Sequence, residues 1–156
     1  GVNKPRLVEC SSFEDQLDYI KDVVKAQKYT DVGILLPTNN DVKIAKSYFD
    51  KSNWGIEAKI GYGSNSMNLD FTTENPKLMT YHSAKGLQFE AVFIPMCIVS
   101  DEKDRNPLYV ALTRSYRDLF ILYSNHLSTY IENIDRNLFE YHNEKNKNSV
   151  NDDLPF

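Results

Sequence analysis

Two cysteines are all that the 156 residues contain, and Cys10 and Cys97 stand far apart in apolar stretches without metal-like spacing. A disulfide framework is excluded, and buried free thiols in a reducing compartment are expected. No run of about 18 apolar residues occurs, and the first residues lack a basic stretch followed by an apolar one. Neither a membrane span nor a secretory signal is therefore expected, and the expected location is cytoplasmic. Positive charge is also in short supply. The net charge of -4 excludes a protein that coats nucleic acid through its overall field. The glycine-rich phosphate cradle G-x-x-x-x-G-K-[ST] is absent. Internal repeats are absent too, and a chain of this length builds one ordinary core.

What is present is an alternation of strand and helix patterns. Leu7 to Cys10 reads as a short strand, and Ser11 with Glu14 forms a capping-box pattern for a helix whose inner face carries Phe13, Leu17, Ile20 and Val24. Val32 to Leu36 is a continuous apolar run closed by Pro37, the pattern of a strand buried on both faces of a parallel sheet. Asn39 to Asp41 can cap a second helix with Val42, Ala45, Tyr48 and Phe49 turned inward. Ile56 to Ile60 is a weaker strand, and 61 to 76 is a long polar loop. Lys77 to Thr80, Ala91 to Ile98 and Asp118 to Tyr123 read as further strands. Asn106 and Pro107 fit a cap and a first-turn proline for a short helix through Arg114. Leu127, Tyr130, Ile131, Ile134 and Leu138 suggest a closing helix. The expected fold is α/β, an open and mostly parallel sheet with helices on both faces, over residues 1–142, followed by a polar, Asn-rich and disordered tail over 143–156.

Two segments carry the chemistry. In Thr80 to Phe89, TYHSAKGLQF, polar groups follow directly from a strand end, where open α/β sheets bind ligands, and Gly86 permits a tight turn or a close approach. In Leu108 to Arg114, LYVALTR, a helix sends Leu108, Val110, Ala111 and Leu112 into packing and leaves Arg114 at its end, from where the guanidinium can reach beyond the domain. The stretch that bears both segments, 76 to 123, is the one third of the chain that is not acidic. Phosphate contacts should therefore be local. Taken singly, each residue has a plainer reading: a turn at Lys85, a surface histidine at His82, a helix-end charge at Arg114. Tyr62, in the irregular loop, is a candidate for stacking on a nucleic-acid base. Asp101 and Glu102 end an apolar strand in the manner of a magnesium-binding pair but have no phosphate cradle to serve, and read as surface loop acids; no metal site is expected in this chain.

TYHSAKGLQFEAVFI resembles motif V, and LYVALTRS motif VI, of superfamily 1 DNA helicases of the UvrD/Rep/PcrA type; DVGILLPTNNDV stands in place of the weaker motif IV. The resemblance extends over the whole ordered chain. It implies the carboxyl-terminal RecA-like domain of a motor built from two such domains, with ATP and Mg2+ bound mainly by an amino-terminal RecA-like domain absent from this chain. Arg114 then corresponds to the arginine finger, a role suited to a permanently charged, bidentate fork. Lys85, Gly86 and Gln88 fall at nucleotide-facing or coupling positions, and Thr80 and His82 near the single-stranded DNA backbone.

Three positions depart from the family. Pro37 replaces a frequent motif IV arginine, Gln88 replaces the usual motif V glutamate, and the span from Phe49 to Thr80 is too short for the large domain that UvrD-type enzymes insert there. The expected function is to supply the arginine finger and part of the single-stranded DNA track of an ATP-dependent DNA helicase. By itself the chain is expected to be monomeric and unable to hydrolyse ATP. The alternative is a non-catalytic module that retains the fold to bind nucleic acid or protein.

Overall fold

The computed structural model describes residues 3–61 and 69–145. Seven strands, β1 (Arg6–Glu9), β2 (Val32–Leu36), β3 (Glu57–Ala58), β4 (Lys77–Thr80), β5 (Phe89–Ile94), β6 (Ser115–Tyr123) and β7 (Glu140–Asn143), form one sheet in the order β3-β4-β2-β5-β6-β1-β7. Every pairing is parallel. The central strand β2 is buried at all five residues, as its unbroken apolar run requires.

Helices cover both faces. On one, α1 (Phe13–Gln27) and α2 (Asn39–Lys51) pack Leu17, Ile20, Val24, Val42, Ala45 and Phe49 against Ile34, Phe93 and Phe120. On the other, α3 (Glu102–Leu112) and the short α4 (Thr129–Glu132) place Leu108, Ala111 and Ile131 over Leu35, Met79, Val92 and Ile121. Cys10 and Cys97 are buried and form no disulfide, and burial pushes the Cys97 thiol up to about 12. Among the described residues no helix is long and apolar enough to cross a membrane.

Several local readings are corrected by the tertiary structure. The cap of α1 is Ser12, not Ser11: its hydroxyl oxygen accepts from the Asp15 amide at 3.1 Å. The cap of α2 is Thr38, which accepts from the Asp41 amide at 3.1 Å and donates to the Asp41 carboxylate at 2.8 Å. Helix α3 begins at Glu102, so Asp101 and Glu102 enter a helix and Pro107 lies inside it. The proline forfeits one bond, to the carbonyl of Lys103, a residue exposed to water that can replace it. The expected closing helix is α4, a 3-10 turn at Arg136–Leu138 and then β7, which pairs with β1 through Glu140 to Asn143. Among the described residues β7 is an edge strand, and its side chains are almost wholly exposed, so it carries no apolar alternation to announce it.

Candidate nucleotide and nucleic-acid edges

The two motif segments are built around one crossover. β4 ends at Thr80, opposite Leu36 at the carboxyl end of β2, whereas β5 starts at Phe89, before the pairing of Val32 with Ala91 at the amino end. Residues 81 to 88 therefore run back across the sheet face, through a 3-10 turn at His82–Ala84 against which α3 packs. One contiguous motif thus contributes to both edges of the sheet. The expectation that all of it lies at the carboxyl edge is met by Thr80, His82 and Ser83, while Gln88 sits at the amino edge beside Thr30 and Asp31.

At the carboxyl edge, Thr80 is 1% exposed. Its hydroxyl donates to Ser83 Oγ at 3.2 Å and accepts from the Ser83 amide at 3.3 Å, which orders the turn. The groups turned to solvent there are the exposed His82 and the half-buried Ser83. Tyr81, which precedes them in sequence, is fully buried with its hydroxyl unpartnered, and burial holds that phenol well above its ordinary pKa.

At the amino edge, the motifs meet. The Phe89 amide donates to the Arg114 carbonyl at 2.8 Å, and Phe89 is in register with Ser115. The half-buried Arg114 is folded back on α3: Nε donates to the Val110 carbonyl at 3.0 Å, Nη2 to Thr113 Oγ1 at 2.9 Å, and Nη1 lies 3.5 Å from the Leu87 carbonyl. The Val110 carbonyl also accepts from the Thr113 amide at 3.1 Å and the Thr113 hydroxyl at 2.8 Å, so Arg114 adds a third donor at this helix end. Lys85, Gly86 and Gln88 are exposed. Gly86 has φ 83°, and a Cβ there would meet no atom within 4 Å, so glycine is required by the backbone and not by space. A register irregularity between Phe89 and Ala91 gives β6 an extra residue, and Tyr116 and Arg117 both face water there, Tyr116 bonded to Asp31 at 3.3 Å and Arg117 to Glu90 at 3.1 Å.

The sequence reading missed the neighbours that complete this edge: Asp31, Phe71, Glu74, Glu90 and Tyr116. They come from loops and strand starts that no periodicity connects. Beside Gln88, the loop after residue 69 is pinned by Glu57 and Lys77. The Lys77 ammonium, on a residue 3% exposed, reaches Glu57 Oε2 at 3.0 Å and the Asn75 carbonyl at 2.6 Å. Glu57 accepts from the Thr73 hydroxyl and from the Asp70 amide, and these donors with Lys77 hold its carboxyl at about 2 despite the opposing effect of burial. Tyr62 lies outside the described residues. Among the described residues no group of three His, Cys, Asp or Glu side chains is placed to hold a metal ion.

The fold is an all-parallel seven-stranded sheet covered on both faces by helices, with the motif segments divided between its two edges. Residues 77–122, the stretch that carries both motif segments, match the family model described as UvrD-like helicase C-terminal domain. The C-terminal domain of a possible DNA helicase from Lactobacillus plantarum WCFS1 is similar in structure, with a TM-score of 0.74, 18% identity, and 90% of this chain and 86% of that chain covered. The C-terminal domain of the DEAD-box protein Dbp5 gives a TM-score of 0.57 at 11% identity, with 91% and 89% covered. No curated protein matches the sequence.

Proposed function

We propose that this chain is the carboxyl-terminal motor domain of an ATP-dependent DNA helicase, with Arg114 as its arginine finger at the amino edge and His82 in the single-stranded DNA track at the carboxyl edge. The observation that carries this reading is the placement of Arg114 against Leu87, which brings the end of one motif within 3.5 Å of the carbonyl beside Gln88 in the other. Phosphoryl transfer needs positive charge supplied from outside the cradle that binds the phosphates, and a guanidinium at a domain edge provides it. Lys85, Gly86 and Gln88 would flank the nucleotide, and Gln88 would offer an uncharged carboxamide to a ribose hydroxyl. Thr80 would act through the turn that presents His82 and Ser83, whose donors suit a phosphate oxygen without reading sequence.

ATP and Mg2+ would be held by a partner RecA-like domain bearing the phosphate cradle and the metal-binding acids. This chain has no such cradle, and its described residues offer no metal-binding cluster. Its own contribution is the arginine, brought to the transferring phosphoryl group when the two domains close. Arg114 must then leave Val110 and Thr113, so its present bonds are those of an open state.

The test is the steady-state, DNA-stimulated ATPase rate of the intact protein carrying Arg114→Lys. A loss of turnover with the fold and nucleotide affinity retained supports the finger. Equal rates leave Arg114 as the cap of α3. If the natural reading frame supplies no Walker A and no Walker B, the alternative of a non-catalytic binding module is favoured.

A further inference from the structure

We propose that the outer edge of β7 is a strand-addition site for a basic extended segment of a partner protein, one with lysine or arginine at alternate positions. The amides of Glu140 and Glu144 donate to the Pro5 and Glu9 carbonyls, both at 2.8 Å, and Glu140 to Asn143 run parallel to Arg6 to Glu9 in register. Backbone groups alternate in direction along a strand, so the N–H and C=O groups of Tyr141 and Asn143 point away from β1. Among the described residues no strand pairs with them. The amides on either side are already used: Phe139 donates to the Arg136 carbonyl at 3.1 Å, and Lys145 to Asn143 Oδ1 at 3.0 Å. The open edge is therefore bounded, and it offers the backbone of Tyr141 and Asn143 alone.

The opposite end of the sheet is built differently. β3 is 2 residues long, and its Glu57 holds the loop that follows residue 69 through the Asp70 amide at 2.8 Å. β7 carries neither a proline nor a register shift, two devices that commonly blunt an exposed edge. It also lies apart from the motif segments, since β1 stands between it and β6, where the second of them ends.

What the edge does carry is negative charge, and this selects the partner. Glu140 and Glu144 lie on the α1 face of β7 close to Tyr19, whose phenol is pushed up to about 12 by burial and by these two carboxylates. Asp15 and Asp22 stand about one turn to either side of Tyr19 on the same face of α1. His142, on the same face of β7, lies 2.9 Å from Glu140. The nearby cations are engaged: Lys145 with Glu9 at 3.1 Å, Arg6 with Asp118 at 3.3 Å, and Arg136 over the Tyr141 ring at 5.5 Å. A strand added at Tyr141 and Asn143 would lay alternate side chains beside this acidic row, where lysine or arginine is favoured and a carboxylate is opposed. Its remaining side chains would meet the other face, where the Tyr141 ring is 47% exposed and apolar residues fit.

Amide chemical shifts and hydrogen exchange of this chain test the site, with a short peptide of alternating lysine and valine as probe and its glutamate and valine counterpart as control. In the free chain the Tyr141 and Asn143 amides should exchange fast, and those of His142 and Glu144, turned to β1, slowly. The lysine peptide should shift the Tyr141 and Asn143 amides, slow their exchange, and bind more weakly as salt rises. The glutamate peptide should bind at least about five-fold more weakly. Tyr141→Pro removes an outward donor and spares the β1 ladder, so it should weaken the lysine peptide by about five-fold with the His142 and Glu144 amides still protected. Glu140→Lys, on an exposed side chain, is independent of any disturbance by the proline and should weaken the lysine peptide by about three-fold at low salt. Equal affinity for the two peptides, or unchanged affinity in Glu140→Lys, overturns the proposal. So does slow exchange of Tyr141 and Asn143 in the free chain: independent of protein concentration, it assigns the edge to residues 146–156, and growing with concentration, to a second copy.

Discussion

The Arg114 guanidinium donates through Nε to the Val110 carbonyl at 3.0 Å, so the residue at the end of α3 caps the helix that presents it. Cap and finger are alternatives for the same group. Arg114→Ala should cost the isolated domain about 1 kcal/mol, and its melting temperature should fall by about 2–4 °C. Arg114→Lys, which keeps a charge near the last carbonyls, should melt within about 2 °C of wild type. If the proposed finger role holds, turnover in the intact protein should fall by at least about 10²-fold in the lysine variant, because an ammonium cannot form the bidentate fork. Melting curves and ATPase rates on the same variants separate the two roles.

Glu57 contributes to the acid limb of stability beside Glu9, Asp70 and Asp118, whose carboxyls are also held below their ordinary range. Its folded pKa of about 2 lies below the ordinary 4.5, so its contribution is complete above about 4.5 and is lost as pH falls toward 2. Chemical denaturation of wild type between pH 5 and 2.5 should show stability falling with pH. Glu57→Gln should be less stable at neutral pH, because it leaves the buried Lys77 ammonium without its counter-charge, and should show a flatter slope across the same window. Parallel slopes in the two proteins would assign the acid sensitivity to other carboxylates.

Gly33→Ala and Gly86→Ala should both destabilise the fold, for different reasons. A Cβ at Gly33 would lie 2.6 Å from Phe89 Cδ2, inside the core, and should cost about 1–3 kcal/mol. Phe89→Leu should recover part of that loss by making room. At Gly86 the space is open but φ is 83°, so the cost is about 1–2 kcal/mol and no neighbouring substitution relieves it. Denaturant midpoints of the single and double variants decide between crowding and backbone strain.

Single-stranded DNA should bind the isolated chain weakly. His82 and Ser83 are few donors on a chain of net charge -4, so the log–log salt slope should correspond to roughly one or two released counterions. His82→Ala should lower affinity without changing the melting temperature, since the side chain is exposed. Fluorescence anisotropy across a salt series measures both. Tight binding with strong sequence preference would contradict the track and favour the binding module.

Much of the frame was legible in the chain because local pattern and tertiary demand coincide. The run Val32 to Leu36, closed by Pro37, has the pattern of a strand covered on both faces, and the spacing of Leu17, Ile20 and Val24 gives a helix one core-facing stripe. The types of residue at both edges were legible for the same reason, since TYHSAKGLQF and LYVALTR are contiguous. Caps displaced by one residue at Ser12 and Thr38 reflect neighbouring hydroxyl and amide side chains that compete for the same role.

The sequence by itself therefore determined the alternation of strands and helices, the burial of the central strand and the identity of the motif residues, because these depend on neighbours within a few positions. Tertiary structure decided what depends on distant partners. β7 exists because β1 offers its backbone to Glu140 to Asn143, not because those side chains favour a strand. The crossover from Thr80 to Phe89 has to traverse the sheet, and so divides one motif between two edges. Phe71, Asp31 and Gln88 share a cleft only because Lys77 and Glu57, twenty positions apart, fix the loop between them through an ion pair that no local pattern encodes.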